Sequence, residues 1–257
     1  LQAEEHKKQQ RHPLKTTTMA THPAPDVWEV QGRQIDLPVK IKSASFAGAL
    51  WRPSRTAVDA QLEQYGLRSA GFRDGGLALL MLVVYREFVL GTYDEVGLAV
   101  LASGPGGPGM FTLELPVTQG FTREAGREIW GLPKWLMTSR AHVGGARSTL
   151  SMSDGDVAVM DATIQTGHRP LPIPVPLITP TLARAEDGPH AGRLLRGKAL
   201  MRGHRVRIGR GRGTTFGWGE HPMADRARAL GMDRPPFATI SAERLTGSLG
   251  ESRAVDG

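Results

Sequence analysis

The 257-residue chain has no cysteine and no asparagine, and among its 32 basic side chains only seven are lysines. Without cysteine there is no disulfide framework, iron–sulfur cluster, thiolate zinc site or cysteine nucleophile. Without asparagine there is no N-glycosylation acceptor. No apolar run approaches the ~18 residues of a membrane-spanning helix. The longest, from Leu77 to Tyr85, has the length of a strand. The N-terminus lacks the apolar segment of a signal peptide, so a cytoplasmic protein is expected and a membrane partner is not. No internal repeat of 20–50 residues is evident.

What remains reads as globular, with 40% hydrophobic and 22% charged residues. The length suits one large domain or two small ones. Residues 1–25 are charged, Gln-rich and without periodicity, so a disordered extension is expected there. Met19, after a Thr run, is a candidate start that would make the first 18 residues a tag or extension. One domain is expected over 26–250, with a disordered tail over 251–257.

The pattern across the body is mostly β. Val39 and Ile41 alternate with lysines, and Ala44, Phe46, Gly48 and Leu50 share a parity. Strands are predicted over 77–90, 95–103, 110–117, 135–143, 148–152 and 157–165, and near 199–209 and 237–247. Short helices are predicted over 55–65 and 118–130, the second closed by Gly131 and Pro133, and near 223–230. The Gly/Pro run 104–109 is expected to be an irregular loop. The five prolines of 169–180 suggest an extended, polyproline-like crossover on the surface or along an edge.

Several motifs fail on inspection. Gly192 and Gly197-Lys198 have the spacing of a phosphate loop, but Ala199 stands where the Mg²⁺-binding hydroxyl belongs. The eight histidines are scattered without metal-ligand spacing. Residues 202–213 form an Arg-rich stripe that would attract phosphates. The plainer reading is a hairpin with wet arginines, Val206 and Ile208 inward, and Gly209 to Gly213 as its turn. Nucleic acid is therefore not an expected partner.

The informative segment is Leu115 to Met137. Four lysines fall outside the N-terminal stretch, and one of them, Lys134, lies between Pro133 and Trp135 amid Ile129, Trp130, Leu132 and Leu136. A lysine in an apolar pocket resists protonation, and a neutral amine forms imines with carbonyls. The alternative is a stem packed on Trp135 with its ammonium in water. The string Gly126-Arg127-Glu128-Ile129-Trp130-Gly131-Leu132-Pro133-Lys134 resembles the Gly-Arg-Glu…Pro-Lys signature of the acetoacetate decarboxylase family. Gly91-Thr92-Tyr93-Asp94-Glu95 is similar to that family's Gly-x-Tyr-x-Glu segment, and Leu115-Pro116-Val117-Thr118 to the strand entering the signature helix. The resemblance covers about 77–140 closely and about 35–250 more loosely.

The resemblance implies an α+β, mainly antiparallel β-cone or barrel with an internal cavity and a few short helices. It implies a lyase that forms a Schiff base on Lys134 with a keto acid or ketone and releases CO₂, needs no metal or organic cofactor, and assembles as a homo-oligomer. Glu95 would be a cavity carboxylate in acid/base or orienting work. Tyr93, Arg127, Glu128, Trp130, Leu132 and Trp135 would surround the lysine, Arg127 and Glu128 being equally readable as a buried ion pair. Three positions depart from the family. Trp135 replaces a second lysine, although an adjacent cation or burial is how acetoacetate decarboxylase itself activates its lysine. A second cavity glutamate falls on Leu80, and a cavity arginine near Ser43 or Ala44. Schiff-base aldol or dehydration chemistry, or ligand binding without turnover, fits as well.

Overall fold

The computed structural model describes residues 21–24, 26–71 and 73–255. In chain order its elements are β1 (Thr21–Ala24), β2 (Val27–Val30), β3 (Arg33–Asp36), β4 (Val39–Trp51), α1 (Arg55–Leu62), β5 (Arg68–Ser69), β6 (Ala78–Phe88), β7 (Tyr93–Gly104), β8 (Gly107–Glu114) and α2 (Gly120–Trp130). There follow β9 (Thr138–His142), β10 (Arg147–Asp154), β11 (Val157–Gln165), β12 (Val175–Arg184), β13 (Leu194–Gly209), β14 (Thr215–Trp218), α3 (Pro222–Ala229), β15 (Ala238–Leu249) and β16 (Arg253–Ala254).

Seven strands close a ring in the order β12, β8, β7, β6, β4, β15, β13, because β13 pairs back onto β12. All contacts in the ring are antiparallel except β12 with β8. A second sheet has the order β14, β11, β10, β9, and a small third one the order β1, β2, β3. The fold is the expected α+β, mainly antiparallel barrel with short helices.

Alternation along the ring strands divides their side chains between two faces. On β6 and β7, Leu80, Leu82, Val96 and Leu98 point to one face and join the main core with Leu150, Ala162 and Ile164 of the second sheet. Val83, Tyr85 and Tyr93 point to the opposite face with Ile41, Ala44 and Leu245. A third cluster packs Ala125, Ile129 and Trp130 of α2 against Trp28, Val30 and Ile35 of the small sheet. The helix α1 is started by Ser54, whose hydroxyl accepts from the Ala57 N–H at 3.1 Å.

The structure corrects several expectations. The run 104–109 is a β-hairpin: Gly104 pairs with Gly107, and Pro105-Gly106 makes a two-residue turn with Gly106 at φ 79°. The second half of the proline-rich stretch is strand β12. Its prolines 176 and 180 are tolerated because β12 meets β8 only at Thr181 and Leu182, leaving its earlier residues at an edge. In the Arg-rich stripe, Val206 is buried, but Ile208 is 60% exposed and Arg207 is buried. Arg205, at φ 51°, interrupts the pairing of β13 with β15, which resumes in the same register with Val206 opposite Ala242. The stripe belongs to no hairpin of its own: β13 pairs with β12 and β15, and β14 with β11.

Within the two ends expected to be disordered, the described residues include short strands. Thr21–Ala24 pairs with β2, while residues 1–20 lie outside the described ones. Arg253–Ala254 pairs with β13, and Ser252 is buried. Gly197 and Lys198 lie within β13, not in a phosphate loop. Among the described residues, no His/Asp/Glu group is arranged to hold a metal ion, and no helix is long and apolar enough to cross a membrane.

Candidate active site

Lys134 is delivered by the end of α2. Gln119 caps the start of the helix, its side chain accepting from the Thr122 N–H at 3.3 Å. At the other end Gly131 takes φ 61°, its N–H returns to the Arg127 carbonyl at 3.0 Å, and Leu132 N–H returns to Gly126 at 3.1 Å. A side chain at 131 would also meet Leu195 at 2.8 Å and Ala185 at 2.9 Å. The reversed chain is then clamped onto the strand end ahead of α2. Leu115 N–H donates to Pro133 (3.2 Å), Val117 to Trp135 (2.9 Å), and Met137 N–H to Val117 (2.9 Å).

From there the lysine stem runs back across α2 at Gly126. A Cβ on Gly126 would stand 2.6 Å from Lys134 Cε and closer still to Cδ. The glycine of the Gly-Arg-Glu string is thus the space the lysine occupies. Lys134 is 4% exposed, and its Nζ lies 2.7 Å from Glu95 Oε2. Glu95, on β7 and 5% exposed, also accepts from the Tyr85 hydroxyl through Oε1 at 3.2 Å. Tyr85 and Tyr93 are cross-strand partners, stacked at 4.5 Å between centroids. Nζ stands 5.4 Å from the Tyr93 ring centre, within range of a cation–π contact. Burial pushes both phenols well above their ordinary range, and the Glu95 charge pushes them further, so both remain O–H groups.

Of the residues singled out in the sequence, Lys134, Glu95 and Tyr93 are brought together. The lysine environment is not purely apolar, since its nearest polar partner is a carboxylate. Arg127 does not pair with Glu128. Its guanidinium grips Asp187, with Nε–Oδ1 at 3.1 Å and a second, shorter contact to Oδ2, and it donates to the Lys134 carbonyl at 3.2 Å. It therefore braces the lysine backbone and is directed away from the amine. Glu128 is buried on α2 beside Gly188. Trp130 donates to the Gly250 carbonyl at 2.7 Å, and Leu132 packs with the same cluster. Trp135 faces away from the lysine, donating to Glu114 at 2.9 Å and lying 5.0 Å from the His221 ring. Glu114 is raised by burial, against the Trp135 hydrogen bond and the Arg226 charge. Leu80 lies on the other face of β6, in the core shared with the second sheet, and so does not join the site.

Tyr85 was not anticipated from the sequence. The usable signal was there: the chain has three tyrosines, and two of them flank the Gly91 turn at the same parity as Glu95. Ala44, where an arginine is expected by resemblance, does border the site as the cross-strand partner of Tyr85, and it brings no charge.

The family model of acetoacetate decarboxylase matches residues 18–250. The chain belongs to the acetoacetate decarboxylase family. No curated protein matches it significantly. Among solved structures, the acetoacetate decarboxylase of Legionella pneumophila is 19% identical with a TM-score of 0.61, over 91% of this chain and 93% of that one. A second acetoacetate decarboxylase structure gives 18% identity and a TM-score of 0.64, over 85% and 89% of the two chains. The enduracididine biosynthesis enzyme MppR, solved in complex with pyruvate, gives 14% and 0.59, over 86% and 89%. At such identities these likenesses establish the fold that this acetoacetate decarboxylase-family chain shares with them.

Proposed function

We propose that this family member is a carbon–carbon lyase that forms an imine between Lys134 and a keto acid or ketone and releases CO₂ from the keto acid. The observation that carries the reading is the buried pair of Lys134 Nζ and Glu95 Oε2 at 2.7 Å. Glu95 takes the proton that Nζ sheds before its lone pair attacks the carbonyl carbon, and returns it to the departing oxygen, which leaves as water. The iminium then accepts the electron pair of the breaking C–CO₂⁻ bond. The resulting enamine is protonated on carbon and hydrolysed, restoring the amine. No metal or organic cofactor enters this sequence. The setting is cytoplasmic, and the working form a homo-oligomer.

The test is trapping: incubation with acetoacetate or pyruvate, borohydride reduction, and intact-mass measurement. A stable adduct on Lys134, absent in Lys134→Ala, is expected, with CO₂ release from acetoacetate. No adduct with any of a panel of ketones would sink the reading. Ala44 favours a second one. With an uncharged methyl facing Tyr85, a substrate carboxylate lacks the arginine that would bind it in bidentate fashion. The same imine would then serve aldol or dehydration chemistry, seen as adduct formation without CO₂. Ligand binding that Lys134→Met leaves unchanged would instead mark a non-catalytic binding protein.

A further inference from the structure

The two oxygens of Glu95 have separate partners. Oε2 faces Lys134 at 2.7 Å, and Oε1 receives the Tyr85 hydroxyl at 3.2 Å. We propose that Tyr85 is the positioning residue of this site, holding Glu95 in the one rotamer that keeps Oε2 on the lysine nitrogen while the imine forms. The proposal rests on the imine chemistry set out above.

Three observations support it. The first is register: Val83 lies opposite Glu95 and Tyr85 opposite Tyr93, so the phenol and the carboxylate share a face of adjacent strands without a loop between them. The second is that packing fixes the ring independently of its hydroxyl. It stacks on Tyr93 at 4.5 Å and on Phe88 at 4.9 Å, and it is 6% exposed. The hydroxyl is therefore presented at a fixed place, and a phenylalanine would keep the ring and remove only the donor. The third is demand. Nζ loses two hydrogens from its ammonium form as it gains carbon, one passing through Glu95 to the leaving oxygen and one going to the same oxygen within the carbinolamine. A carboxylate anchored through Oε1 stays within reach for both the outward and the return transfer. One free to rotate does not.

The experiment is a double-mutant cycle on the full chain, with the rate of borohydride-trapped adduct as readout and acetoacetate and pyruvate as probes. Tyr85→Phe is expected to reach the wild-type final adduct at a rate lower by about tenfold or more, the effect of one hydrogen bond to a charged group. The concentration giving half the maximal rate should stay within about twofold. In the Glu95→Gln background the same substitution should change the rate by less than about twofold, because its route of action is gone. Equal losses in both backgrounds would show a merely structural role and overturn the proposal. A wild-type adduct with no loss in Tyr85→Phe would overturn it too while leaving the imine reading intact. No adduct in the wild type removes both. Should Tyr85→Phe not fold, full-length protein carrying 3-fluorotyrosine at its three tyrosines tests the same hydroxyl. A rate altered in the wild type but not in Glu95→Gln supports the proposal, and a rate unaltered in both overturns it.

Discussion

At the scale of single residues, the contact between Gly126 and Lys134 sets local helix preference against the site. Alanine in a helix interior is usually better than glycine by about 0.8–1.0 kcal/mol. At position 126 its methyl would occupy the path of the lysine, 2.6 Å from Cε. We therefore expect Gly126→Ala to gain no thermal stability and to lose more than about tenfold in adduct rate, because the amine is displaced from Glu95. A rise in Tm with unchanged trapping would refute this. The tyrosines make a second residue-level prediction. Both phenols are held well above their ordinary range, chiefly by burial. The unfolded chain sheds these protons near pH 10 while the folded one keeps them, so their contribution is complete below pH ~10 and lost as pH rises further. Urea stability should fall there by about 1.4 kcal/mol per pH unit for each phenol. The fall should be shallower in Tyr85→Phe/Tyr93→Phe.

At the scale of elements, the helix stop at Gly131 decides where the lysine emerges. Gly131→Ala would have to adopt φ 61°, at a cost of about 1–2 kcal/mol. It would also press on Leu195 and Ala185, adding about 1–3 kcal/mol of overpacking. A Tm lower by several degrees and a slowed adduct are expected, measured by thermal melting and trapping; unchanged values would mean that the 131–134 turn tolerates another geometry. Elements of this kind were legible in the sequence wherever one local rule acted alone. The strand expected over 157–165 has those bounds, and α2 ends at its Gly-Leu-Pro stop. Lys134, Glu95 and Tyr93 were legible through a string of fixed spacing. The failures occurred where a pairing partner decided the outcome. Gly104 and Gly107 become strand because they pair with each other, and prolines 176 and 180 because β13 supplies a full register. Ile208 is exposed although Val206, at the same parity two residues before it, is buried, so alternation along β13 does not decide its burial. The register of the β6–β7 hairpin sets Tyr85 on the face of Glu95, and the same register sets Leu80 on the opposite one.

At the scale of the whole molecule, closure of the ring removes most strand edges, but β12 retains one over residues 175–180, where β8 does not reach. Prolines there have no N–H to offer an incoming strand, so pairing of this edge with another copy is disfavoured. The neighbouring surface is different. Ile178 and Leu200 are cross-strand partners on β12 and β13, 60% and 43% exposed. Two adjacent aliphatic side chains on a rigid sheet form a patch that a two-fold copy of itself complements, residue against residue. Covering what remains exposed of each side chain is worth about half of the ~1.5–3 kcal/mol that full burial gives. A homo-oligomer assembled through this surface should therefore be sensitive to charge placed at its centre. By light scattering the chain is expected to exceed its 27.8 kDa monomer mass, and Leu200→Glu to shift it towards that mass while leaving the folded circular dichroism spectrum intact. Because Lys134 and Glu95 belong to one chain, the imine should still form in the dissociated variant. A wild-type mass of one protomer at working concentration, or a Leu200→Glu variant that keeps the full assembly, would show that this surface does not join the copies.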